Sequence, residues 1–218
     1  MIITLHRLLK RIPSTFSCNL GLYTTKETLE QFIVSALRSN LEFVSIENYI
    51  INKNKNNEMI CLTFDDGYID TYTEALPFLE KLNIPFTIYV TTNYLNNFVP
   101  WWFSLEDYVY ENYREKTHKA DKIKCDNHII EQEFLNKIYL QKRFEIMKGK
   151  FDISILKKYE SKVNSRLGKR LFINKEELIT LNKSKLVTIG SHTLSHPRLS
   201  KCNLKESEEE IYNSKLIL

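Results

Sequence analysis

The chain has 218 residues, of which 43% are hydrophobic and 27% charged, proportions that are ordinary for a folded globular protein and exclude a disordered one. Its formal net charge is only +4, and basic and acidic residues are interleaved along the chain, which excludes a basic stripe that binds nucleic acid. No segment reaches the roughly 20 apolar residues that cross a bilayer, so we expect no transmembrane segment.

The first part of the chain alternates short apolar stretches with a helical pattern. Apolar side chains recur at helical spacing after two threonines that can cap a helix. The predicted elements are a strand over Met1–Leu5, a helix that begins at Thr25 or Thr28 and ends near Arg38, and a strand over Phe43–Ile46.

A strand–helix–strand unit is predicted next. The apolar run Met59–Phe64 ends at two acids and a glycine, which is typical of a buried strand that closes in a turn. Helical spacing follows, but Pro77 interrupts it, so we expect the regular helix to begin there after an irregular turn. Phe86–Thr91 is a second apolar strand. This order predicts a βαβ unit of a parallel sheet.

The character of the chain changes over residues 93–171, which are rich in Tyr, Lys, Glu and Asn and predict helices rather than strands. We interpret this segment as a helical insertion. Helices are predicted over Leu105–Tyr113, Glu131–Met147, Ile153–Leu167, Lys175–Leu181 and Leu204–Leu216, and a strand over Leu186–Gly190. The strand–helix order favours an α/β barrel or a layered sheet, in which chemistry collects at the C-terminal ends of the strands.

Two adjacent acids, Asp65 and Asp66, follow the first strand of the βαβ unit. Two buried carboxylates repel each other unless a cation compensates them. A turn at Gly67 can bring both acids to the same opening at the end of the strand. One acid could then bind a metal ion while the other accepts a proton. The alternative is a turn that closes a hairpin or caps the next helix, since Asp-Gly is a strong turn signal.

Two histidines, His192 and His196, follow the last predicted strand. A separation of four residues is typical of metal ligands that lie on one side of a helical turn. Pro197 disfavours helical geometry at the residue before it, so the turn should be short. The alternative is a pair of ordinary surface or capping histidines.

Together the two segments offer two imidazoles, one carboxylate ligand and a second carboxylate beside them. Three protein ligands with an open position are typical of a catalytic metal ion rather than a structural one. Such an ion activates water and polarises a carbonyl, and a free carboxylate can act as general base. The residues therefore predict the metal-assisted hydrolysis of an amide or an ester.

The segments TFDDG and SHTLSHP resemble the first two motifs of the polysaccharide deacetylases, carbohydrate esterase family four. The resemblance implies that Asp65 is the base. It implies one divalent ion, Zn in preference to Co, Ni or Fe, bound by Asp66, His192 and His196. It also implies a substrate with acetylated sugars, from a surface polysaccharide or a glycolipid.

The fold that the resemblance implies is a distorted (β/α) barrel of the polysaccharide-deacetylase type, incomplete at its C-terminus. Residues 1–218 would form a single partial domain, with the insertion over 93–171. The later motifs of the family do not follow His196, after which only 22 residues remain. We therefore expect a fragment with weak or no activity alone. A second polypeptide that completes the site, or a non-catalytic carbohydrate-binding pseudoenzyme, are the alternatives.

Three further residues are candidates for the site. Trp101 and Trp102 could stack on a sugar ring, or could anchor the insertion through hydrophobic contacts, and the anchor is the favoured alternative. His6 ends the first predicted strand and could approach the mouth of the site, although a structural role is favoured.

The location of the protein is predicted from its cysteines and its first residues. The four cysteines are dispersed and form no C-x-x-C motif, so we expect free thiols in a reducing compartment. Charged residues interrupt the apolar N-terminus, which therefore has no signal-peptide core. These features predict a cytoplasmic protein and leave peripheral attachment to a membrane open.

Overall fold

The computed structural model describes residues 1–11, 18–52, 58–96, 98–120, 127–167 and 170–218. Seven strands and eight α-helices lie within these ranges. The strands are β1 Ile2–Leu5, β2 Arg7–Leu9, β3 Tyr23–Thr25, β4 Glu42–Phe43, β5 Met59–Phe64, β6 Phe86–Val90 and β7 Val187–Ser191. The helices are α1 Lys26–Arg38, α2 Ile46–Ile51, α3 Leu76–Lys81, α4 Trp101–Ala120, α5 Asn127–Met147, α6 Glu160–Leu167, α7 Lys175–Leu181 and α8 Leu204–Ile217.

The main sheet is parallel, with the strand order β1-β5-β6-β7, and β4 pairs with the beginning of β5. One row of threonines crosses four strands, because Thr4 pairs with Thr63, Thr63 with Thr87, and Thr87 with Thr188. Parallel strands that are aligned in this way end at the same edge of the sheet. The α/β class predicted from the sequence is confirmed. Among the described residues the main sheet is open, and β2 and β3 form a separate two-stranded sheet.

The strand β5 lies at the centre of this sheet, and all six of its residues are buried. A strand that is buried on both faces is typical of a parallel sheet covered by helices. The surrounding core is apolar. Its most buried members include Leu8, Ile33, Ile60, Leu62, Phe64, Leu79, Phe86, Ile88, Ile173 and Leu181.

The chain divides into two compact units. The first unit contains the parallel sheet and comprises Met1–Ile12, Leu22–Phe98 and Arg170–Leu218. The second unit comprises Pro13–Gly21 and Val99–Lys169, and its described part is helical, with α4 and α5 packed around a small apolar cluster. The single partial domain with an insertion over 93–171 stays a prediction.

Pro77 has the effect on α3 that the sequence predicts. One turn of π-helix over Thr71–Ala75 precedes α3, and the proline occupies the first turn of the regular helix, where no backbone donor is lost. The predicted strand over Phe43–Ile46 is wrong beyond Phe43. Ser45 instead caps α2, because its hydroxyl accepts a hydrogen bond from the backbone N–H of Asn48 at 3.2 Å.

The helices of the second unit differ in length from their predicted ranges. The helix predicted over Leu105–Tyr113 extends over the whole of α4, and the one predicted over Ile153–Leu167 divides into a 3₁₀ segment, Ile153–Tyr159, followed by α6. The parallel pair of β2 and β3 was not predicted, because each strand has only three residues.

Two further expectations concern the membrane and the cysteines. No helix among the described residues combines the length and the apolar character needed to cross a membrane. Cys18, Cys61 and Cys202 are free thiols, and Cys61 is buried in the central strand. Cys125 lies outside the described residues.

Candidate metal centre

The predicted acids and histidines lie at the same edge of the parallel sheet. Asp65 and Asp66 directly follow β5, and His192 directly follows β7, with β6 between these two strands. The first histidine is fixed to the end of β6, because its backbone N–H donates to the carbonyl of Val90 at 2.9 Å. The sheet thus brings together side chains that are more than a hundred residues apart in sequence.

Asp66, His192 and His196 form a cluster in which one ligand atom from each lies within 4.8 Å of the others. Oδ1 of Asp66 lies 3.5 Å from Nε2 of His192 and 3.3 Å from Nε2 of His196. Two atoms that are each about 2.1 Å from a tetrahedral ion lie about 3.4 Å apart. The spacing of these donors therefore fits one divalent ion.

The environment of Asp66 also fits a cation. Its side chain is only 4% exposed, and its Oδ1 accepts no hydrogen bond from the described residues. A buried carboxylate oxygen without a hydrogen bond is costly, and a cation is one of the few partners that compensates it. The imidazoles are 31% and 37% exposed, so the open side of the cluster faces solvent. This arrangement leaves room for a substrate group.

The turn after β5 has a backbone that few residues adopt. Asp66 has a φ of 74° and Gly67 a φ of 83°, both in the left-handed region. Aspartate tolerates this region better than most residues, and glycine adopts it without steric cost. The carbonyl of Gly67 accepts a hydrogen bond from the N–H of Ile173 at 3.0 Å, which ties the turn to the segment before α7. The Asp-Gly pair thus sets the position of the acid.

Gly67→Ala should lower the free energy of unfolding by about 1–2 kcal/mol through its left-handed backbone alone. A further loss is expected, because the added Cβ would lie 3.3 Å from a methyl group of Val90. Gly149→Ala is the matched control, since Gly149 has a φ of 66° and no atom within 4 Å of the added Cβ. Denaturant titration measures both losses. Equal losses at the two positions would show that the side chain of Val90 shifts without a cost in free energy.

The histidine turn is supported by the end of β6. The hydroxyl of Thr91 donates to the carbonyl of His192 at 3.1 Å, and the N–H of Thr92 donates to the carbonyl of Thr193 at 3.2 Å. The side-chain oxygen of Thr193 in turn accepts a hydrogen bond from the N–H of His196 at 3.0 Å. These bonds fix the direction in which the two histidines leave the strand.

Burial changes the acid–base properties of two groups here. It raises the pKa of the Asp65 carboxyl above its ordinary value, and the imidazole of His192 opposes this shift. Burial also lowers the pKa of His192, against the effect of the two carboxylates. A neutral imidazole is the form that binds a metal ion, and a carboxylate with a raised pKa is a stronger base.

The remaining predicted residues are placed as follows. Trp101 and Trp102 begin α4 in the second unit, with their ring centroids 5.7 Å apart, and Trp101 packs against the apolar cluster of that unit. This packing lies within the second unit, so both alternatives for the two tryptophans, stacking on a sugar ring and anchoring the insertion, stay predictions. His6 follows β1 and is half-buried, close enough for its imidazole to lower the pKa of Asp65.

Several residues that contact the two motifs have no recognisable pattern in the sequence. Arg7 forms a buried ion pair with Asp70, which follows the Asp-Gly turn in sequence, and Glu210 and Ser214 of α8 contact the histidine turn. Asp70 lies only four residues after Asp66, but nothing local identifies its partner. Glu210 belongs to an acidic run that looks like an ordinary solvated helix face.

A family model described as polysaccharide deacetylase matches residues 52–142, a segment that contains Asp65 and Asp66 but neither histidine of the cluster. No curated protein sequence gives a significant match to the chain. Solved structures do show a similar fold. The deacetylase PplD of Streptococcus pyogenes, solved in complex with acetate, has a TM-score of 0.55 at 15% identity and covers 98% of this chain.

Two Bacillus proteins give similar values. A polysaccharide deacetylase from Bacillus cereus has a TM-score of 0.53 at 14% identity, and a putative one from Bacillus anthracis has a TM-score of 0.54 at 15% identity. Each covers 99% of this chain. The chain spans 65% of the streptococcal structure and 45% of each Bacillus structure. The chain is therefore similar to polysaccharide deacetylases over residues 52–142 in sequence, and its fold is similar to that of solved polysaccharide deacetylases.

Proposed function

We propose that this chain contains the metal centre of a hydrolase that removes acetyl groups from N-acetylated sugars of a surface polysaccharide or glycolipid. One divalent ion, Zn in preference to Co, Ni or Fe, binds to Asp66 and the two histidines. The observation that carries the proposal is the buried Oδ1 of Asp66, which lies 3.3 and 3.5 Å from two imidazole nitrogens and accepts no hydrogen bond from the described residues.

The reaction adds one water molecule across an amide bond. The C–N bond breaks, the acyl carbon gains the hydroxyl group and leaves as acetate, and the nitrogen gains a proton. Asp65 accepts the proton of the attacking water, for which its raised pKa suits it. When bound, the divalent ion polarises the acetyl carbonyl and makes water more acidic. The neutral form of His192, which burial favours, is the form that binds such an ion.

Metal removal tests the proposal independently of turnover. Purified protein should contain about one equivalent of Zn, and removal of the ion by a chelator should lower the Tm. At a free Zn²⁺ concentration of 100 times Kd, binding stabilises the folded state by about 2.7 kcal/mol. For a chain of this size that corresponds to roughly 5–10 °C. His192→Ala should remove this dependence of Tm on Zn²⁺. A wild-type Tm that is insensitive to Zn²⁺ would contradict the metal centre.

Acetate release from an N-acetylated chito-oligosaccharide tests the chemistry. We expect weak or no release by this chain alone, so the test uses long incubations and a coupled acetate assay. Any release should disappear with the chelator and return with Zn²⁺. Sugar binding without release under all conditions would support the alternative, a non-catalytic carbohydrate-binding protein. The cytoplasmic location stays a prediction.

A further inference from the structure

The turn that carries the two histidines has a backbone that needs support from outside. Thr193 has a φ of 67° and His196 a φ of 61°, so two of its residues lie in the left-handed region. This conformation costs roughly 1–2 kcal/mol for each non-glycine residue and is especially unfavourable for β-branched threonine. Such residues persist where the surrounding structure holds them, and they cluster at functional sites.

Much of that support comes from one glutamate of α8. Oε2 of Glu210 accepts hydrogen bonds from the backbone N–H groups of Leu194 at 2.9 Å and Ser195 at 2.8 Å. Its Oε1 accepts a third, from the hydroxyl of Ser195 at 2.6 Å. Both carboxylate oxygens are thus bound to the residues that lie between the two histidines. Hydrogen bonds to a charged acceptor are about twice as strong as neutral ones.

A second residue on the same face of α8 holds the beginning of the turn. Ser214, four residues after Glu210, is fully buried, and its hydroxyl donates to the carbonyl of Thr193 at 2.9 Å. The same oxygen accepts a hydrogen bond from the hydroxyl of Ser191 at 2.7 Å. The helix therefore contacts the end of β7 and the turn through polar groups.

The apolar residues of α8 do not explain how it is held. Ile211 is 54% exposed and Tyr212 is 63% exposed, and Ser214 is the buried residue of this helix. Hydrophobic burial is the usual way in which a surface helix is attached. Here the hydrogen bonds of α8 go to the end of β7 and to the turn between the two histidines.

We infer that Glu210 is a positioning residue, which keeps His192 and His196 in the geometry that binds the metal ion and thereby sets the affinity for that ion. The inference rests on the proposed metal centre. Groups that orient metal ligands typically change metal affinity by 10–100-fold when they are removed. Glu210 acts through the backbone of the turn rather than on an imidazole, so we expect an effect at the lower end of this range.

The experiment uses the 218-residue chain with Glu210→Gln, Glu210→Ala and a control, Glu208→Gln. The control removes the same charge from an exposed position of the same helix. The Kd for Zn²⁺ is measured by competition with a chromogenic chelator. Amide hydrogen exchange at Leu194 and Ser195 is measured in the metal-free protein, where the contact of Glu210 with the turn can be followed without the ion.

We expect Glu210→Gln to weaken Zn²⁺ binding by about tenfold and Glu210→Ala by more, since glutamine keeps one acceptor oxygen. Exchange at the two amides should accelerate in the same order, and Glu208→Gln should change neither quantity. If Glu210→Ala does not fold, the glutamine variant decides. Accelerated exchange with unchanged Zn²⁺ affinity would overturn the inference and leave a structural role. Unchanged exchange at the two amides in the Glu210 variants would overturn the inference as well. A wild-type chain that binds no Zn²⁺ would overturn the proposed metal centre and the inference with it.

Discussion

Asp66→Asn and Asp65→Asn should separate metal binding from proton transfer at two adjacent residues. Asp66→Asn should reduce the affinity for Zn²⁺ by more than 100-fold, because removal of a direct ligand should exceed the 10–100-fold effect of groups that only orient ligands. Asp65→Asn should keep about one equivalent of Zn, since Asp65 is not in the cluster of donor atoms. Metal content after gel filtration, with Zn²⁺ Kd values from competition, measures both effects.

The same pair should differ in turnover and in stability. Loss of a general base costs typically 10²–10⁴ in rate, so Asp65→Asn should lower by that factor whatever acetate release the unaltered chain shows, although the variant is loaded with metal. In the metal-free protein, Asp66→Asn should not lower the Tm, because it replaces a carboxylate that is only 4% exposed by a neutral group of the same shape. Asparagine also tolerates the left-handed backbone at this position.

These variants also control for each other. Each changes one carboxylate to an amide at the same end of β5, so general electrostatic effects on the fold should be similar. If both variants lose Zn²⁺ equally, Asp65 is itself a ligand and the assignment of the base is wrong. If Asp66→Asn keeps full affinity, the cluster is not the metal centre.

The local part of the site could be predicted from the sequence. The buried strand β5, the turn at Gly67 and the histidine spacing are patterns within short segments, and they place Asp66 and His192 at strand ends. Parallel pairing then brings strand ends to one edge, whatever separates them in sequence. The positions of the two motifs therefore followed from periodicity and turn chemistry.

The supporting contacts could not be predicted, because they depend on how distant segments pack. Arg7 and Asp70 are 63 residues apart, and neither has a local pattern that identifies the other. Glu210 lies in the run Glu208–Glu210, in which only the contact with the turn distinguishes it from its neighbours. The short helix α2 was missed because a serine cap outweighed the apolar character of Val44 and Ile46.

The ion pair between Arg7 and Asp70 should give the largest change in stability. Each residue is about 4% exposed, and Nε of the guanidinium donates to Oδ2 of Asp70 at 2.8 Å. The guanidinium also lies over the rings of Tyr23 and Tyr68, with its central carbon 5.5 and 5.2 Å from their centroids. Oδ1 of Asp70 accepts a hydrogen bond from the N–H of Leu8 at 2.8 Å. The pair thus joins β2 to the chain that follows the Asp-Gly turn.

Arg7→Met should lower the free energy of unfolding by about 3–5 kcal/mol, because it leaves the charge of Asp70 buried without a partner. Lys10→Met is the matched control, since Lys10 is 79% exposed and lies 3.7 Å from Glu74. Removal of such a surface pair should cost less than about 1 kcal/mol. Denaturant titration of both variants measures the difference.

The double variant Arg7→Met with Asp70→Asn shows whether the charges or the packing cause the loss. Asparagine keeps an acceptor for the N–H of Leu8 while it removes the buried charge, so the double variant should recover much of the stability lost in Arg7→Met. No recovery would mean that the stacking of the guanidinium on Tyr23 and Tyr68 carries the effect. Because Asp70 follows the turn that holds Asp66, the single variant should also weaken Zn²⁺ binding, and the double variant should restore it in parallel with stability.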